Sequence, residues 1–332
     1  MAIRLCLLLL GCLGWAAAAP ADGEAGDWNA LLTEGRALFQ EGHYQEAEPK
    51  LSAALHQIES EGVQGYHLVI ALSNLGACYQ DLGRYVEAEN FHRRAVRAGE
   101  ALEGGHRLAM AVALNNYGVL LNRLGRSKQA AEYFERSLEI RRELLGPQDP
   151  AVARQLHNLA RLQMERGKFG ESERLHNEAI EIWEQSGPDS NSDLAASLSG
   201  LSSLRSRRGR FAEALPLAER AVSLCENALG RSHPTFAILL NNLATVFIEL
   251  RYLDRAESIL SEALEIAKNT FGVDHPETGM ILANYASVMK QTERKRQGRV
   301  MQAQARDIFT RHAQRNLMQH TVDVSQLLRE KQ

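Results

Sequence analysis

The sequence predicts an all-α protein, built as a solenoid of helix-turn-helix repeats. Three observations support this fold class: a period of 42 residues, an apolar stripe with helical spacing in each period, and a glycine at one fixed place in most periods. Windows taken every 42 residues from Leu72 read LSNLG, LNNYG, LHNLA, LSGLS, LNNLA and LANYA. Each window begins with leucine and ends with Gly, Ala or Ser, which indicates a unit that stacks on copies of itself.

The first helix of each unit, called helix A below, carries the stripe. Leu72, Leu75, Gly76 and Tyr79 stand at i, i+3, i+4 and i+7, which places them on one helical face. The residues at the predicted turn after helix A are Gly42, Gly83, Gly125, Gly167, Gly209 and, in the sixth unit, Arg251. Glycine suits this place because it adopts a positive φ without steric cost.

The second helix, helix B, is marked by two columns of small residues. The columns are Ala88, Ala130, Ser172, Ala214 and Ala256, and Ala95, Ser137, Ala179, Ala221, Ala263 and Ala305. We expect two helix backbones to approach closely at these positions, where a larger side chain would cost about 1 to 3 kcal/mol.

Several linkers between units end in proline, in the segments GPQDP, GRSHP and GVDHP. Proline favours the first turn of a helix, so Pro150, Pro234 and Pro276 predict the starts of three helices A. The aspartate or histidine before each proline belongs to this recurring helix start and is not predicted to be catalytic.

Together these features resemble tetratricopeptide repeats of the kinesin light chain type, which are longer than the usual repeat of about 34 residues. The resemblance covers Trp28 to Thr310 and rests on the windows, the turn glycine, the small-residue columns and the G-x-x-H-P linkers. It implies a right-handed superhelical solenoid whose concave surface is lined by helices A. Export, predicted below, departs from the cytosolic kinesin light chains, so motor binding is not carried over.

The predicted organisation is a signal peptide over 1–21, a solenoid of about seven repeats over 28–310 and a basic, polar tail over 311–332. The predicted repeats are 28–68, 69–110, 111–152, 153–194, 195–236, 237–278 and 279–310. The fifth repeat departs from the pattern, with Gly200, Ser202 and Arg205 where a leucine-rich helix is expected, and the seventh has TERKRQG at its turn. A charged last repeat suits a cap, because its outer face meets water.

The first residues, MAIRLCLLLLGCLGWAAAAPADG, have the composition of an export signal, with one basic residue, an apolar run and small residues before the polar part. Cleavage is expected after Ala18 or Ala21, which predicts a periplasmic or secreted protein. A lipid anchor at Cys12 is the minor alternative, on the segment LLGC. The excess of arginine over lysine, 31 to 7, indicates a GC-rich and hence bacterial source.

A column of asparagines on helix A is the candidate functional feature. The position holds Thr33, Asn74, Asn116, Asn158, Gly200, Asn242 and Asn284 in the seven repeats. At 100° per residue, Asn74 lies at 200° from Leu72, on the face opposite the stripe. The resemblance implies that asparagines at this position bind the backbone of an extended peptide, to which an amide offers both a donor and an acceptor.

Three arginines fall on the same face of helix A: Arg154, Arg161 and Arg207. One reading is a basic stretch suited to an acidic or C-terminal peptide. The other is that the column Asp81, Arg123, Glu165, Arg207 and Glu249, which alternates in sign, forms ion pairs between repeats. Both readings stay open at this point.

Other classes of function find little support in the sequence. No nucleophile elbow, phosphate loop or paired carboxylates stand outside the repeat pattern, so no enzyme activity, catalytic residue or cofactor is predicted. No Cys/His set predicts a metal, Cys78 and Cys225 are expected to be buried thiols, and no later segment has the length of a membrane helix.

The net charge of -3 does not favour nucleic acid as a partner. Residues 290–332 hold ten Lys or Arg against four Asp or Glu and are read as a solvated surface, with a docking patch as the minor alternative. The predicted function is therefore a scaffold that binds a protein or peptide partner. The alternative is a structural spacer or assembly component without a linear peptide ligand.

Overall fold

The computed structural model describes residues 27–292 and 294–320. These residues contain fourteen α-helices and two short 3-10 helices, and no strand. The predicted all-α class is confirmed. The predicted signal peptide, Cys12 and residues 321–332 lie outside the described residues. The described chain falls into two compact units, which divide within the seventh helix between Leu162 and Gln163.

The N-terminal unit consists of three helix pairs and the first part of a seventh helix. The helices are α1 (Asp27–Gln40), α2 (Tyr44–Ser60), α3 (Tyr66–Asp81), α4 (Tyr85–Gly99), α5 (Arg107–Arg123), α6 (Ser127–Leu145) and α7 (Pro150–Glu165), with a 3-10 helix at Gly104–His106. Each helix packs on the next in the order α1 to α5, and α5 packs on α6. Consecutive helices A also touch, α1 with α3 and α3 with α5.

The C-terminal unit repeats this arrangement from the end of α7 onward. Its further helices are α8 (Phe169–Gln185), α9 (Asn191–Arg207), α10 (Phe211–Leu229), α11 (Pro234–Glu249), α12 (Leu253–Thr270), α13 (Pro276–Gln291) and α14 (Lys295–His320), with a 3-10 helix at Pro188–Ser190. Helices A touch here as well, α9 with α11 and α11 with α13. Each helix A after the first begins three or four residues before the predicted start of its repeat, and α14 continues beyond residue 310.

The turns within repeats have the predicted backbone. The five turn glycines have φ between 73° and 83°, and Arg251 adopts φ 65° in the sixth repeat. The linker prolines begin α7, α11 and α13. Nδ1 of His233 accepts a hydrogen bond from the amide of Thr235 at 3.2 Å, which is the action of a helix cap. His275 caps α13 in the same way.

The small-residue columns are buried in the contacts between helices. Every member of the two columns is at most 1 % exposed. Gly118 of helix A lies against the first column, because a Cβ added to it would lie 3.3 Å from the carbonyl oxygen of Ala130 and 2.6 Å from the ring of Phe134 in helix B. In the preceding repeat the ring of His92 takes the equivalent place, 2.8 Å from a Cβ added to Gly76.

Ion pairs join successive repeats at the edge where the turns lie. Glu173 pairs with Arg205 (3.1 Å) and Arg208 (2.9 Å) near the end of α9. Three pairs occupy equivalent positions: Arg126 with Glu89 (2.6 Å), Arg210 with Glu173 (3.5 Å) and Arg294 with Glu257. Each arginine follows a turn and each glutamate lies in helix B of the repeat before. Because these side chains are partly exposed, each pair contributes at most about 1 kcal/mol.

Candidate functional site

The asparagine column lies on the helices A but is mostly buried. Asn116 is 3 % exposed, Asn284 6 %, Asn74 and Asn242 8 %, and Asn158 9 %. The face opposite the apolar stripe is therefore not an open, solvated surface in these five repeats. Because neighbouring helices A contact one another, the column lies partly in the seam between them.

Three of the asparagines bridge adjacent repeats. The hydrogen bonds run from Asn158 Nδ2 to Asn115 Oδ1 (3.2 Å), from Asn242 Nδ2 to Ser199 Oγ (3.1 Å) and from Asn284 Nδ2 to Asn241 Oδ1 (2.9 Å). In each case the donor belongs to the later repeat, and the acceptor immediately precedes the column position of the earlier repeat. We call this series the asparagine ladder.

The ladder is incomplete at its N-terminal end. The acceptor place in the first repeat is occupied by Leu32, which offers no oxygen. Nδ2 of Asn74 is buried and has no hydrogen-bond partner among the described residues. The same holds for Oγ of Ser73, the residue at the acceptor place for Asn116.

The C-terminal unit also leaves amide atoms of this series without a partner. Oδ1 of Asn242 and Nδ2 of Asn241 are buried and receive or donate no hydrogen bond within the described part of the chain. A buried polar atom without a partner costs about 1 to 3 kcal/mol. The asparagine series therefore includes buried donors and acceptors without a partner in both units.

The candidate arginines differ in their surroundings. Arg154 and Arg161 are half-buried beside Asn158 on α7 and engage in further interactions there. Arg207, at the end of α9, is exposed and forms none of the ion pairs found among the described residues. The reading in which Arg207 pairs with its column neighbours is not supported.

The first two charges of the alternating column do pair. Arg123 Nη2 lies 3.4 Å from Asp81 Oδ1. Burial raises the pKa of Asp81, and the nearby Arg123 opposes that rise. Asp81 and Arg123 therefore compensate each other's charge. Arg154 and Arg161 remain as the predicted basic residues of the N-terminal unit.

The remaining candidates for chemistry have structural surroundings. Cys78 and Cys225 are buried thiols, and burial raises the pKa of Cys78 to about 12 and that of Cys225 to about 11. Within residues 27–292 and 294–320, no group of three His, Cys, Asp or Glu side chains has the arrangement of a metal site. Of the helices in these ranges, none combines the length and apolar character that a membrane span requires.

Sequence reasoning did not identify the acceptors of the ladder. They are Asn115, Ser199 and Asn241, each one residue before the column. The doubled asparagine in LNNYG and LNNLA was the available signal, since one amide of each pair faces the next repeat and the other belongs to the column.

Family models described as tetratricopeptide repeats match most of the chain. One matches residues 29–101, 67–143, 109–185 and 235–311, and a second matches 194–235. No curated protein matches this chain significantly in sequence.

Two of the solved structures that are similar to this chain share the repeat fold at 21 % identity. BtubC (BKLC) from P. vanneervenii is 21 % identical, with a TM-score of 0.55 over 75 % of this chain and 94 % of that one. Nearly identical TPR-like repeats of a Podosopora anserina chain described as a kinesin light chain are also 21 % identical, with a TM-score of 0.52 over 60 % and 95 %.

A third structure was solved with a peptide. The Rap conjugation gene regulator of the plasmid pLS20, in complex with the Phr* peptide, is 15 % identical, with a TM-score of 0.62 over 90 % of this chain and 77 % of that one. At these identities, the likenesses establish the repeat fold alone.

Proposed function

Since this chain belongs to the tetratricopeptide repeat family, we propose that it is a non-enzymatic scaffold that binds extended peptide segments along the asparagine column. The partner is a protein or peptide. The observation that carries the proposal is the recurrence of asparagine at one position of the helices A in five of the seven repeats, at residues that are 3 to 9 % exposed. A side-chain amide offers both the donor and the acceptor that a peptide backbone binds. The Rap regulator, of the same fold, was solved with a peptide.

The N-terminal unit is the better candidate for binding. It holds Asn74, Asn116 and Asn158 in three consecutive repeats, with Arg154 and Arg161 beside the last of them. In the C-terminal unit Asn242, Asn284 and Arg207 form the corresponding set. Arginine binds carboxylates strongly, so the arginines favour a segment with acidic residues or a free C-terminus.

The test is a titration of the purified protein with a peptide selected from a display library. Changing Asn74 and Asn116 together to Ala should weaken binding by about 1 to 3 kcal/mol, which is a loss of about five- to hundredfold. Asn74→Ala alone should not lower the melting temperature, because Asn74 Nδ2 gives up no hydrogen bond. The control is Asn90→Ala on the exposed side of α4, which should change neither quantity.

The same titration separates backbone from side-chain recognition. The loss caused by the asparagine changes should be similar for peptides of different sequence, whereas Arg154→Ala and Arg161→Ala should penalise acidic peptides selectively. Unchanged affinity in the double asparagine variant would contradict the proposal.

The asparagine ladder favours a second candidate, a structural spacer or assembly component without a linear peptide ligand. In that case the asparagines serve only to join repeats, as the bonds of Asn158, Asn242 and Asn284 do. The spacer predicts that asparagine variants change the melting temperature and that no library peptide binds.

We further propose that the protein is exported to the periplasm or secreted, from the composition of its first 21 residues. The intact mass of the exported protein should correspond to a chain that begins at Ala19 or Asp22. A retained signal, or the mass of a diacylglycerol on Cys12, would contradict this assignment.

A further inference from the structure

Arg141, near the end of α6, is a charged residue in a place that other repeats fill with small or apolar ones. The equivalent positions, spaced by 42, hold Gly99, Trp183, Cys225, Ala267 and Phe309. Arg141 is nevertheless 9 % exposed, so most of its side chain is removed from water. A buried charge is costly unless a partner of opposite charge compensates it.

No such partner is present for Arg141. Among the described residues, no carboxylate lies within 4 Å of its guanidinium, and its one hydrogen bond is a long one, from Nε to Ser137 Oγ at 3.5 Å. Ser137 itself donates to the carbonyl of Ala111 at 2.7 Å. The Nη groups therefore donate no hydrogen bond within the part of the chain that the structure describes.

The charges nearest to Arg141 do not balance it. Arg154 adds a second positive charge, from the first turns of α7. The carboxylate of Asp149 faces the same group, but its Oδ1 accepts from the amide of Ala151 at 2.7 Å as the cap of α7. Burial and, to a smaller extent, the nearby Arg154 lower the pKa of Arg141 to about 10, while Asp149 acts in the opposite direction. Asp149 is thus the carboxylate that acts on Arg141, and one of its oxygens is used to cap α7.

We propose that the end of α6 and the start of α7 form a binding site for a carboxylate, with Arg141 as the residue that binds it and Arg154 as the second positive charge. The guanidinium presents two parallel N–H groups that match the two oxygens of a carboxylate, and Arg141 has these groups unused. The carboxylate is that of the bound peptide, either an acidic side chain or the C-terminus. In this respect the inference rests on the proposed function.

The site is tested with small carboxylates, which report on it whether or not a peptide binds. N-acetylglycine represents a C-terminal carboxylate and N-acetylaspartate N-methylamide an acidic side chain. Each is titrated into the purified full chain at constant ionic strength, and the melting temperature is followed. The wild type should be stabilised with a saturable dependence on concentration, because a ligand that binds only the folded state raises its stability.

Three variants assign the effect to Arg141. Arg141→Met should abolish the saturable response, and without ligand it should melt no lower than the wild type, because apolar residues occupy this place in other repeats. Arg141→Lys retains the charge but not the planar fork and should raise the Kd by at least about tenfold. The matched control is Arg136→Met on the same helix, whose arginine is exposed and 3.9 Å from Glu100, and which should respond as the wild type does.

The outcomes separate this inference from the proposed function. A saturable response that persists in Arg141→Met, or no response of the wild type to either compound, overturns the site even if library peptides bind. Saturable binding that depends on Arg141 supports the site even if no library peptide is found. Stronger stabilisation by phosphate than by either carboxylate would overturn the assigned ligand class.

Discussion

Replacing His92 with Phe should remove a specific part of the acid sensitivity of the protein. His92 is fully buried on α4, and neither of its ring nitrogens has a hydrogen-bond partner among the described residues. Burial lowers the pKa of His92 to about 3. Phe134 fills the equivalent place one repeat later, against Gly118 as His92 lies against Gly76. Phenylalanine should therefore fit at position 92 without a rearrangement of the repeat.

The magnitude follows from the difference in pKa between the unfolded and folded states. Below its ordinary pKa of 6.5 the unfolded histidine takes up a proton, whereas the folded one stays neutral down to about pH 3. The unfolded state then binds more protons, so the free energy of unfolding is highest above pH 6.5 and decreases as the pH falls toward 3. At 1.36 kcal/mol per pH unit, His92 should lower the free energy of unfolding by about 2 kcal/mol at pH 5.

The measurement is urea unfolding at pH 7 and pH 5, followed by circular dichroism. The wild type should lose about 2 kcal/mol more between the two pH values than His92→Phe does. His56→Phe, which replaces an exposed histidine on α2, serves as the control and should keep the pH dependence of the wild type. An identical pH dependence in His92→Phe and the wild type would refute the reasoning, since it would mean that His92 is protonated equally in the folded and unfolded states.

Two further substitutions test the packing and the asparagine ladder. Ala221→Leu should destabilise the protein by about 1 to 3 kcal/mol, because it adds volume at a position that is 1 % exposed, whereas Arg136→Ala on an exposed surface should change the free energy of unfolding by no more than about 0.5 kcal/mol. Asn284→Ala should cost about 1 to 3 kcal/mol by leaving Oδ1 of Asn241 buried without its donor, and equal melting temperatures for Asn284→Ala and the wild type would show that this bond contributes nothing.

The repeat architecture was predictable because each of its determinants is local in sequence. A turn glycine needs a positive φ, a linker proline needs the first turn of a helix, and an alanine column marks a close approach of neighbouring helices. The predicted positions of all three agree with the structure, including Arg251, which adopts the glycine conformation in the sixth repeat. The 42-residue period made the prediction possible, because the helix positions recognised in one repeat give those of the other repeats.

The surroundings of the candidate site were not predictable in the same way. Asn74 and Asn116 are buried by neighbouring helices A, which lie about 42 residues away in the sequence. The angular position of a residue on its own helix does not show how closely those neighbouring helices pack. The lack of an ion partner for Arg141 also depends on residues outside its own helix, because its neighbours come from α7 and the linker before it. The only sign in the sequence was that Arg141 stands where other repeats have small or apolar residues.

The ion pairs at the turn edge have a period of 84 residues, twice that of the repeat. In the sequence, the positions that correspond to the glutamate and the arginine of these pairs hold Ala131 and Lys168, and Leu215 and Tyr252, in the intervening repeats. The charges at this edge therefore recur in every second repeat and not in every one. In a chain from which 195–236 is removed, Tyr252 would follow Glu173 at the place of Arg210, so a deletion of one repeat would break the alternation, whereas a deletion of two, such as 153–236, would preserve it.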